Sequence, residues 1–121
     1  MVHVSRRAIL PLLTPIFLVV PQGLWAHAVL LDSSPRIDSV QSGGEVQIHL
    51  RFNTRIDHTR SQMTLFAPDG TEQSVVPAPE SPADGLNAEV ETKLHGSWRL
   101  RWQVLSIDGH ITRGDIPFKI Q

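Results

Sequence analysis

Two stretches alternate strictly between apolar and polar residues. Val46, Ile48, Leu50 and Phe52 are separated by Gln47, His49 and Arg51, and Trp98, Leu100, Trp102 and Val104 by Arg99, Arg101 and Gln103. Successive side chains of an extended strand leave on opposite faces, so a period of two gives each stretch one face to bury and one to keep wet. No helical period follows residue 27, which leaves no helix to cross over a parallel sheet. The pattern predicts strands at 27–31, 46–52, 62–66, 71–76, 87–94, 98–104 and 113–120. They are parted by turn chemistry at Asp32-Ser33-Ser34-Pro35, Pro68-Asp69-Gly70 and His95-Gly96, by the polar connection 38–44, and by a loop holding Pro77, Pro79 and Pro82. Seven short strands predict an all-β fold, an antiparallel Greek-key β-sandwich of Ig-like size. Pro117 inside the last strand predicts an edge position or a bulge, because proline cannot donate to a ladder.

The first quarter of the chain reads differently. Arg6 and Arg7 precede an apolar run from Ala8 to Val20 that Pro11 and Pro15 interrupt, the layout of a secretory signal peptide. A bilayer span needs about 20 apolar residues, so a permanent anchor is rejected. Ser5-Arg6-Arg7 also has a twin-arginine look, which leaves the export route open. The expected organisation is a leader at 1–26 and one domain at 27–121. With only two basic residues in the leader, the domain has nine basic and twelve acidic residues, a net charge of −3. That balance argues against a nucleic-acid partner. Cysteine is absent, so neither a disulfide nor a thiolate ligand is available.

Residues able to carry chemistry lie at the two ends of the domain. If the leader is cut after Ala26, His27 offers a metal both its α-amine and its imidazole, and one more imidazole would complete a three-nitrogen set of the tetragonal kind that favours Cu(II). Ala26-His27-Ala28 is also the literal A-x-A pattern, and a cut after Ala28 would destroy the chelate. In the plainer reading His27 is merely the residue beyond a cleavage site. Asp108-Gly109-His110 is open in the same way. Asp-Gly between apolar strands signals a hairpin, yet a carboxylate and an imidazole two positions apart can share one face and serve one ion. His49, His58 and His95 read as surface residues, and Arg99 with Arg101 as an exposed cationic stripe. Nothing in the spacing supports hydrolase chemistry.

Several segments belong together: the Leu24-Trp25-Ala26 close of the leader, His27-Ala28-Val29-Leu30-Leu31-Asp32-Ser33-Ser34-Pro35, a strand ending Arg51-Phe52-Asn53, and Trp102-Gln103-Val104-Leu105-Ser106-Ile107-Asp108-Gly109-His110 through Gly114 and Phe118. In this combination the chain resembles the CopC family of periplasmic copper-resistance proteins. The resemblance spans essentially the whole mature chain. It implies a seven-stranded cupredoxin-like or Ig-like sandwich and a cut after Ala26, hence a periplasmic protein. It implies one Cu(II) ion held by the amine and imidazole of His27, by Asp108 and by His110. The implied role is not enzymatic: a monomer that buffers or carries copper for resistance or homeostasis, with an inner-membrane copper-transport partner. Two departures stand out. Met63 alone cannot supply the methionine-rich Cu(I) site of some members, and Ile111 stands where a proline commonly follows the second histidine.

Two rivals remain at the level of sequence. Lytic polysaccharide monooxygenases use a similar histidine chelate, so a copper-dependent oxidative enzyme is one; a carboxylate on the metal would crowd the open position such chemistry needs. The other is a metal-free Ig-like interaction module in which Asp108-Gly109 only turns the chain. Copper binding requires His27 and the 108–110 segment at the same end of the sandwich.

Overall fold

Alternation is realised as eight strands in the computed structural model, which describes Pro11, Pro15 and residues 27–121. They are β1 (Leu30–Ser34), β2 (Ser39–Gln41), β3 (Gly44–Phe52), β4 (Gln62–Phe66), β5 (Glu72–Val75), β6 (Gly85–Thr92), β7 (Gly96–Leu105) and β8 (Ile111–Ile120). One sheet has the order β1-β3-β6 and the other β2-β8-β7-β4-β5. The leader expected at 1–26 lies, Pro11 and Pro15 apart, outside the described residues.

The inward faces are those the alternation assigns. Val46, Ile48, Leu50 and Phe52 from β3 share the core with Trp98, Leu100, Trp102 and Val104 from β7, and Leu65, Leu86, Ile116 and Phe118 are among the residues that join them. Phe52 and Trp102 meet edge to face with ring centroids 5.1 Å apart, which ties the two sheets together directly beneath one end of the sandwich. Trp102 lies over Gly114, its register partner on β8; a Cβ on that glycine would sit 2.4 Å from the indole Cζ2. The Trp98 indole finds its acceptor in the Leu94 carbonyl at 2.9 Å.

Three local expectations are corrected. The first strand begins at Leu30 rather than residue 27, because Ala28 turns into the core and the segment before β1 is held by Asn53 instead of by a ladder. The 38–44 connection contains β2, an eighth strand that pairs parallel to β8, while the other strand pairs among the described residues are antiparallel. Pro117 consequently sits in a strand flanked on both sides rather than at an edge. Its carbonyl accepts the Asp38 N–H at 2.7 Å, so its polar side faces β2. β2 begins pairing one residue later, at Ser39 with Phe118, and the missing N–H therefore costs no rung of the ladder.

Candidate metal centre

Leu105 and Ile111 form the last rung between β7 and β8, and residues 106–110 close the hairpin beyond it. Ser106 N–H donates to the His110 carbonyl at 2.9 Å and Gly109 N–H to the Ser106 carbonyl at 2.9 Å. Gly109 adopts φ 93°, a left-handed value that suits glycine, so the backbone here is the hairpin turn that Asp-Gly announces. The 55–57 segment fixes this turn from the side. Ile56 bridges Ser106, Asp57 N–H donates to the Leu105 carbonyl at 2.8 Å, and Ile107 N–H to the Arg55 carbonyl at 3.1 Å.

The start of the domain arrives at the same end. Ala28, 1 % exposed, plugs into the core, while Asn53 straps Val29 from both directions: its Oδ1 accepts the Val29 N–H at 2.7 Å and its own N–H donates to the Val29 carbonyl at 3.0 Å. His27 is thereby set beside His110, with ring centroids 5.3 Å apart and planes at 70°. Asp108 Oδ1 is 3.3 Å from His110 Nδ1, and the two side chains are 43 % and 50 % exposed. All three residues named from the sequence lie at one end of the sandwich. Val29, Ile107 and Ile111, which neighbour them in the chain, are exposed apolar residues.

Whether one ion could join the rings is a matter of reach. With metal–nitrogen bonds of about 2.0–2.1 Å, a ring centroid lies roughly 3 Å from the ion, so two imidazoles can share it when their centroids are within about 6 Å. The observed 5.3 Å satisfies this. Among the described residues no group of three His, Asp or Glu is gathered closely enough to hold an ion as it stands. The arrangement is two contacts that share His110. In the uncut chain the His27 nitrogen is an amide, and only a free N-terminus would make it an amine donor.

The Asp108 carboxyl is held below the usual carboxylate range, chiefly because the Ser106 hydroxyl donates to it; burial opposes this, and the side chain and backbone of His110 add to the lowering. The shift favours the carboxylate form, the one that can ligate a cation.

The remaining histidines have other occupations. His49, on the outer face of β3, places Nδ1 3.0 Å from Asn87 Oδ1. His58 borders a groove of about 630 Å³ shared with Met63 and Pro77, but its Nε2 faces the Pro82 and Gly85 carbonyls at 2.7 and 2.9 Å and so staples the proline-rich loop. His95 is exposed in the turn before β7. Arg99 and Arg101 line the outer face of β7 as expected, with Asp115 between them at 3.8 and 3.0 Å and Phe66 beneath the Arg99 guanidinium at 4.3 Å. Sequence reasoning passed over Asn53 and Ser106. Ser106 had a signal, since Ser106, Asp108 and His110 are spaced by two.

A family model described as the CopC domain matches residues 30–121. Among curated relatives, Protein YobA of Escherichia coli strain K12 is 28 % identical over 120 residues, covering 97 % of this chain and 95 % of its own. Protein YobA of Shigella flexneri matches to the same extent. Among solved structures, CopC from Methylosinus trichosporium OB3b superposes with a TM-score of 0.67 at 23 % identity, over 78 % of this chain and 94 % of the other. PcoC, described as a methionine-rich copper resistance protein from Escherichia coli, gives 0.59 at 24 % identity, over 79 % and 100 %. At such identities the structural likeness speaks for the fold.

Proposed function

Since the chain belongs to the CopC domain family, we propose that it is exported, cut after Ala26, and serves as a periplasmic carrier or buffer of one Cu(II) ion for copper resistance or homeostasis. The amine and imidazole of His27, with Asp108 and His110, make the ligand set. The observation that carries this reading is the 5.3 Å approach of the His27 and His110 rings beside Asp108. A metal-free module whose Asp-Gly merely turned the chain would have no use for two imidazoles and a carboxylate brought from opposite ends of the domain.

Donor chemistry supports one oxidation state over the other. Two neutral imidazoles, an amine and a carboxylate favour Cu(II), whereas Cu(I) prefers thiolate and thioether. Cysteine is absent, and Met63 is buried between the sheets at 2 % exposure, so neither soft donor can reach the ion. In this respect the chain differs from the methionine-rich PcoC. A carrier must also surrender its cargo, and the ligands sit on an exposed rim with Val29, Ile107 and Ile111 beside them. That rim suits docking of a monomer against a copper-transport partner in the inner membrane.

The deciding experiment measures the mass of the exported protein and then records Cu(II) EPR spectra of wild type, His27→Ala and His110→Ala. The expected mass is that of residues 27–121. The expected spectra show a tetragonal nitrogen-rich signal in wild type that each substitution changes. A chain starting at Val29 that still gave the wild-type signal would sink this ligand set.

A further inference from the structure

Ser106, Asp108 and His110 alternate along the β7–β8 turn, and two of them belong to the ligand set above. Ser106 differs from them in being buried, 2 % exposed, beneath a turn whose residues 107–110 are all exposed. It is pinned from below by its bridge to Ile56 and by its backbone bond to His110. Its Oγ donates to Asp108 Oδ1 and accepts the His110 N–H at 3.2 Å, and the His110 carbonyl lies 3.1 Å away. A hydroxyl has one proton and two lone pairs, and the carboxylate is the stronger acceptor for that proton. One buried oxygen thus holds Asp108 by its side chain and His110 by its backbone.

The bonding also distinguishes the atoms. Ser106 Oγ and His110 Nδ1 both approach Oδ1 of Asp108, which leaves Oδ2 as the oxygen that neither of them engages. With Nδ1 directed to Asp108, His110 offers Nε2. Metal ligands aimed by such outer partners bind without first having to be ordered. Resting on the copper reading, we propose that Ser106 is the positioning residue of this site: it presets Asp108 and His110 for Cu(II) without touching the ion.

The test is Cu(II) competition titration and EPR on the exported protein carrying Ser106→Ala, Ser106→Thr or Ser106→Val, with apo melting temperatures alongside. Threonine and valine add the same branch at a buried position and differ only in hydroxyl against methyl, so steric strain cancels between them even if the alanine variant folds poorly. Ser106→Val is expected to bind Cu(II) about 10–100-fold more weakly than Ser106→Thr, the usual loss when an outer partner is removed, and to change the copper hyperfine splitting. In an Asp108→Ala background that difference should shrink, leaving the part that acts through the His110 N–H. If Ser106→Val and Ser106→Thr differ only in apo melting temperature and give the same affinity and spectrum, Ser106 is a turn staple and the proposal is overturned. Failure of the copper reading looks different: wild type shows no Cu(II) signal, or His27→Ala binds as wild type does.

Discussion

Gly114→Ala should destabilise the domain through a single contact. A Cβ at this position would lie 2.4 Å from Cζ2, 2.6 Å from Cε2 and 2.9 Å from Nε1 of Trp102. Carbon atoms pack at about 3.5–4.0 Å, so the indole would have to retreat by about 1 Å. It has nowhere to go, since it is 5 % exposed and Phe52 stands edge-on at 5.1 Å. Overfilling a packed core costs about 1–3 kcal/mol. At about 4–8 °C per kcal/mol for a domain of this size, the melting temperature should fall by at least about 4 °C, read by thermal unfolding in circular dichroism. Trp102→Phe removes the crowded edge of the indole, and its Nε1 has no hydrogen-bond partner among the described residues to be lost. Gly114→Ala should therefore cost less in the Trp102→Phe background, with a coupling of about 0.5 kcal/mol or more. A variant that melts with wild type, or an equal loss in both backgrounds, would refute the wedge.

Glu45 offers a pH-dependent effect. Its carboxyl is held above the ordinary range mainly by the hydrogen bond and like charge of Glu89, with burial and Glu91 adding. A raised folded-state value means a contribution fully present below the ordinary glutamate range and lost as pH rises through the folded value. Glu89→Gln should thus lower the Glu45 value in an NMR titration and raise the melting temperature at pH 7 but not at pH 3; equal gains at both would dismiss charge repulsion as the cause. For the copper-loaded protein, ascorbate should release the metal, because nitrogen and oxygen donors favour Cu(II). Copper retained after reduction would mean that another donor holds it.

Much of the fold was legible wherever burial writes a local pattern. β3, β4 and β7 fall where alternation places them because each must bury one face against the other sheet, and Pro68-Asp69-Gly70 turns the chain by its own chemistry. β2 was not legible: three residues with no apolar inward set join the sheet through backbone bonds to a strand at the far end of the chain. The start of β1 was displaced for a related reason, since the strap that replaces its first rungs comes from Asn53.

The site divides along the same line. By itself the sequence named His27, Asp108 and His110 as candidate donors, because histidine and aspartate are ligands by their chemistry, and it determined the Asp108-Gly109 turn, because glycine tolerates the left-handed backbone there. It could not decide which histidines are committed elsewhere: His58 is occupied by two loop carbonyls and His49 by Asn87, partners visible only once the chain is folded. Nor could it bring His27 to His110. That approach depends on Ala28 entering the core, on Asn53 strapping Val29 and on residues 55–57 bracing the hairpin, contacts between segments that no local pattern couples.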